Sequence, residues 1–104
     1  MKIIQDRDKT HAPSDKFREL AETAQSLKAM YRSGLIETEK YLDHDMMESI
    51  DLICTKIARI VHGDSKHIDH WLDIAGYSQL IINRLQSEQT PPIVKKRAER
   101  VTKE

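Results

Sequence analysis

The sequence predicts an all-α fold: a compact antiparallel bundle of three helices, or four if residues 37–41 form a helix of their own, completed by oligomerisation. Three observations carry this expectation. Charged residues make up 33% of the chain and aromatics 5%, a balance that suits solvated helices better than sandwiches or barrels. Apolar residues recur at steps of three and four over three separate segments. The 104 residues amount to a single domain. A chain of that size buries only roughly 60–65% of its unfolded surface alone, so a second copy is the natural completion of its core.

The segments follow in order: an N-terminal extension over 1–13, a helical domain over 14–86, and a basic tail over 87–104 expected to be mobile. The first helix is expected from Asp15 to Arg32, after Pro13 and an N-cap at Ser14, with Phe17, Leu20, Ala24, Leu27 and Tyr31 on one stripe. Gly34 closes it. The second starts after Asp43 as N-cap, sets Met46, Ile50, Ile53, Cys54, Ile57, Ile60 and Val61 on a stripe centred on Ile50, and ends at Gly63 as a left-handed cap. The third runs from Asp64 or Ser65 to about Leu85, with Trp71 and Tyr77 as core anchors beside Ile74, Ile81 and Leu85. Gly76 within it costs about 1 kcal/mol against Ala, which points to a close helix–helix approach there. Leu52, Leu72 and Leu80 fall off the stripes and call for a further covered surface, supplied by the first helix, by the tail or by a second subunit.

Charge narrows the partners. Seventeen Lys and Arg balance seventeen Asp and Glu, so overall charge drives binding neither to nucleic acid nor to an anionic membrane. The neutrality is local cancellation: between Glu37 and Asp51 six carboxylates face only Lys40, net −5, while Ile93–Glu104 carries net +3. No apolar run approaches the roughly 18 residues of a membrane span, and the start turns polar too early for a signal peptide. With a single cysteine, Cys54, these features point to the cytoplasm. Cys54 sits on the second stripe as a small core residue.

Opposite Ile50 the second helix carries Glu48, Thr55 and Arg59, with Asp51 and Lys56 on its flanks; the third places Asp69, Asp73 and Tyr77 beside its stripe, next to His70. Antiparallel packing of these helices turns the pairs Glu48/Asp51 and Asp69/Asp73 towards one cleft. Paired carboxylates from facing helices suit Mg²⁺, which takes oxygen ligands and keeps waters for substrate phosphates. Lys56 and Arg59 would then contact phosphates, with His70 and Tyr77 lining the site. The alternative is that these side chains form ordinary structural pairs, Asp51 with Lys56 or Arg59 and Asp69 with His70. A zinc site from His67, His70, Asp64 and Asp73 is geometrically possible, but no HExxH or cysteine pair supports it.

The run SIDLICTKIARIVHGDSKHIDHWLDIAGY, Ser49 to Tyr77, resembles a family of short phage and prophage proteins of uncharacterised function. The matching residues are Ile50-Asp51, Lys56, Arg59-Ile60 and Gly63, then Asp69-His70-Trp71 and Asp73-Ile74-Ala75-Gly76-Tyr77, a DHWxDIAGY pattern. His11-Ala12-Pro13 replaces the family's His-Gly turn, and Leu72 a frequent acidic residue. That family is similar to the all-α nucleoside triphosphate pyrophosphohydrolases of the MazG type, whose ExxE and ExxD pairs on successive helices bind Mg²⁺ and the triphosphate. Glu48-x-x-Asp51 and Asp69-x-x-x-Asp73 occupy comparable places, with Asp for Glu and a second spacing of four. The resemblance implies a phage-type protein in the host cytoplasm that binds a nucleotide, with Mg²⁺-dependent release of pyrophosphate as its enzymatic form. Against this stands a non-catalytic accessory module that inhibits a host protein or sequesters a nucleotide signal.

Overall fold

The computed structural model describes residues 14–89. Three helices follow one another: α1 Ser14–Glu37, α2 His44–His62 and α3 Ile68–Gln89. The fold is an antiparallel all-α bundle in which α2 is central, with α1 and α3 each packed mainly against it. The expectations for the N-terminal extension and for the tail beyond Gln89 lie outside the described residues.

The first helix runs past its expected stop. Gly34 is an ordinary helical position, and the helix continues to Glu37 before a turn at Thr38 and Glu39. There the Lys40 N–H donates to the Leu35 carbonyl at 3.0 Å and the Glu39 N–H to the Ile36 carbonyl at 3.2 Å, the paired bonds of a Schellman motif. Glu39 takes the left-handed conformation this motif requires, with φ 53°. Residues 38–43 are therefore a link and not a fourth helix. Asp43 precedes α2 in extended conformation but gives no side-chain cap, because its carboxylate is held by Arg84.

Gly63 ends α2 with φ −133°, not in the left-handed region. Its reason is steric: a Cβ there would sit 2.8 Å from the Arg59 carbonyl oxygen. The α2–α3 turn is then built by Asp64, whose carboxylate accepts the Lys66 N–H at 2.9 Å and whose carbonyl accepts the His67 N–H at 3.1 Å. The third helix begins at Ile68, later than expected, and reaches Gln89, into the segment read as tail. At Gly76 an added Cβ meets nothing within 4 Å, so no neighbouring helix explains that glycine.

The seams are made by small and polar side chains. Towards α1, α2 presents Cys54 and Ala58, buried with Ala24, while Asp51 bonds Tyr31 and Arg32. His62 Nε2 and the Thr23 hydroxyl meet at 2.6 Å further along the same seam. Towards α3 it presents Ser49, whose hydroxyl donates to the Tyr77 carbonyl at 3.4 Å, and Lys56, paired with Asp73. At about 100° per residue, Ser49 and Lys56 lie on the side of α2 roughly opposite Asp51. The stripe centred on Ile50 falls between the two seams and is only partly covered. Trp71, expected in the core, is 54% exposed and donates its indole N–H to the Ser65 carbonyl at 2.8 Å. Among the described residues, no large side chain is fully buried.

Candidate functional site

The candidate residues divide into two groups along the polar side of the bundle. In the first, Asp51 accepts the Tyr31 hydroxyl at 2.6 Å and the Arg32 guanidinium at 2.9 Å. Burial, then the hydrogen bond to Asp51, pushes the Tyr31 phenol above its ordinary pKa. Arg32 also lies over the Tyr31 ring, 5.8 Å from its centroid. Asp51 thereby ties α2 to α1. Glu48, one turn away, is exposed.

The second group gathers at the α2–α3 turn. Lys56 Nζ meets the Asp73 carboxylate at 2.7 Å, and the exposed Asp69 lies 3.6 Å from His67 Nε2. The His67 and His70 rings contact edge to face with centroids 4.7 Å apart. The Nδ1 atom of His70 is enclosed and has no hydrogen-bond partner. Desolvation lowers the His70 pKa, and the electrostatic effects of neighbouring His67, Lys56 and Arg59 lower it further, against a smaller opposing effect of Asp73. At neutral pH the ring is therefore uncharged. Arg59 is exposed on the adjoining surface of α2, and Tyr77 is half-buried.

The antiparallel offset separates the carboxylates. Lys56 and Asp73 stand opposite one another. Asp51 is five positions from Lys56, about 7–8 Å along α2, and Asp69 is four from Asp73, about 6 Å in the other direction. Mg²⁺ holds oxygen ligands at about 2.0–2.1 Å, so these four carboxylates do not meet at a single ion in this arrangement. The pair that remains suitable is Asp69 and Asp73, one turn apart beside Lys56, Arg59 and His70. Among the described residues, no group of three or more His, Cys, Asp or Glu is placed to hold a metal ion. His67, weighed as a zinc ligand, lies beside Asp69.

The ion pairs differ from those the spacing suggested. Asp51 pairs with Arg32, not with Lys56 or Arg59, and Asp69 lies beside His67, not His70. Sequence reasoning also missed Arg84, which donates to Asp43 at 2.7 Å, to Asp45 at 2.8 Å and to Glu88 at 2.7 Å. The offset that sets Lys56 against Asp73 sets Asp45 against Arg84. One correct pair would have found the other.

Comparison of the chain with protein-family models, with curated proteins and with solved structures gives no match. Among the described residues no helix is long and apolar enough to cross a membrane.

Proposed function

We propose that the protein binds the phosphate groups of a nucleotide at the α2–α3 turn. The observation that carries this reading is the setting of His70: a neutral imidazole with an enclosed, unpartnered nitrogen among Lys56, Arg59 and His67. Burial is the main cause of the lowered His70 pKa, and Lys56 and Arg59 add to it as neighbouring cations that can also attract an anion. Arg59 supplies the planar fork that matches phosphate oxygens, and Lys56 a point charge shared with Asp73. Mg²⁺ would add polarisation of a phosphate oxygen; Asp69 and Asp73 fit it, since this ion takes one or two carboxylates and keeps several waters. Glu48 and Asp51 belong to the set that the resemblance implies and lie further along the same polar side. In its enzymatic form the reading is a phage-type, Mg²⁺-dependent release of pyrophosphate from a (deoxy)nucleoside triphosphate, by a protein acting as a homo-oligomer.

A second reading is favoured by a specific observation: Asp51 and Asp73 are both engaged by cations that hold α1 and α3 to α2. On that view the protein is a non-catalytic interaction module, directed at a host protein or a nucleotide signal. Purified protein with a panel of nucleoside triphosphates, with and without Mg²⁺, separates the two. Phosphate binding predicts a rise in Tm with nucleotide that Arg59→Gln abolishes, and pyrophosphate release if the protein is an enzyme. An unchanged Tm with every nucleotide, together with a fall in Tm for Asp73→Asn that is the same with and without Mg²⁺, supports the module and ends the nucleotide reading.

A further inference from the structure

Only part of the apolar stripe of α2, Cys54 foremost, is buried within the chain. Ser49, Cys54 and Ala58 are buried in the seams, whereas Ile57 is 37% and Val61 63% exposed. On α3 Trp71 and Ile82 are exposed, and at about 100° per residue they fall on the side of Ser78 and Ile81. Nearer the start of α2, this side opens into a groove of about 290 Å³ lined by Met46, Ile50, Ile53, Ser78 and Ile81. One face of the α2–α3 pair thus carries a groove at one end and a ridge of Ile57, Val61 and Trp71 at the other.

We infer that a second copy of this chain covers this face, with the two α2 helices antiparallel across a two-fold axis beside Ile53. Such an axis sets Ile57 of one copy against Ile50 of the other, and Val61 against Met46, so each ridge enters the partner's groove. A two-fold interface requires this self-complementarity. At 1.5 Å per residue α2 is about 28 Å long, and helices pack 8–10 Å apart, so the two-helix face offers on the order of 500 Å² in projection. Side-chain relief brings that close to the roughly 800 Å² per partner of a stable complex. The groove lining carries no charged side chain, in keeping with the core of such an interface. Identity of the occupant follows from the shape of the face. Among the described residues no large side chain is fully buried, and a second copy brings to this face a groove and a ridge that match its own. The dimer does not depend on the nucleotide reading and is expected without any nucleotide.

Sedimentation equilibrium of the full chain tests it. The expected mass is twice 12.1 kDa; a folded 12.1 kDa species at 100 µM, by far-UV circular dichroism, overturns the inference. Val61→Glu and Leu80→Glu are matched probes, 63% and 64% exposed but on different faces. Val61→Glu is expected to weaken the dimer about 100-fold or more, because it buries an unpaired carboxylate, and Leu80→Glu to leave it intact. The reverse order overturns the assigned face. Adding Met46→Lys to Val61→Glu restores the dimer by pairing across the axis; no recovery overturns the antiparallel register.

Discussion

Glu39 holds a position that a glycine fills at lower cost. The Schellman motif closing α1 needs a left-handed residue, and a side chain there strains against its own backbone. Glu39→Gly is expected to raise stability by about 0.5–1 kcal/mol, read from the urea midpoint. Gly63 and Gly76 make opposite cases. A methyl at Gly63 would press on the Arg59 carbonyl, so Gly63→Ala should cost about 1 kcal/mol or more. At Gly76 nothing opposes the gain in helix propensity, so Gly76→Ala should add about 0.5–1 kcal/mol. Thermal melts that place Gly63→Ala above wild type, or either of the other two variants below it, contradict the backbone described here. The sequence marks Gly34, Gly63 and Gly76 as equally special. Only packing distinguishes the glycine that a carbonyl requires from the two that nothing requires.

Among the elements, the free ends of α2 and α3 are fastened by one residue. Arg84 holds Asp43 and Asp45 before and within the first turn of α2, and Glu88 on its own helix. The Asp45 carboxyl is held below the usual carboxylate range, first by its hydrogen bond from Arg84. Its folded pKa lies under its unfolded value, so its contribution is complete above about pH 4 and is lost as pH falls through the folded pKa. Arg84→Met should therefore lower the urea midpoint at pH 5, and lose less between pH 5 and pH 2.5 than wild type does. Equal acid sensitivity in the two proteins would remove Arg84 as the cause. The helices and their order were legible because three-and-four periodicity depends on local sequence alone. Their ends and partners were not, because the Schellman closure at Glu39 and the bonds from Arg84 to Asp43 and Asp45 depend on which helix arrives opposite.

At the scale of the whole molecule, the stripe that signals burial in the sequence coincides only in part, at Cys54, with the seams that hold the helices together. Hydropathy located an apolar stripe on α2 but not what covers it; Ser49, Cys54 and Ala58, small or polar, make the contacts within the chain. The candidate site was legible in the same partial way. Spacing placed Lys56, Arg59, Asp73 and His70 near one another, but it gave no hint that Asp51 belongs to Tyr31 and Arg32, because that pairing depends on the register set by residues 38–43. If α2 and α3 are covered by a second copy, folding and association are one equilibrium, and stability must depend on chain concentration. Each tenfold rise then adds about 1.4 kcal/mol per dimer. With an unfolding entropy near 2.1 cal/mol/K per residue, the Tm should climb by about 3 °C per decade of concentration for a dimer of this size. Melts at 1, 10 and 100 µM read this directly. Val61→Glu, melting as a monomer, should show no such slope and the lowest Tm of the series, while Leu80→Glu should keep the wild-type slope. A concentration-independent wild-type melt would mean that the helices close their core within one chain, and that the exposed Ile57, Val61 and Trp71 have another role.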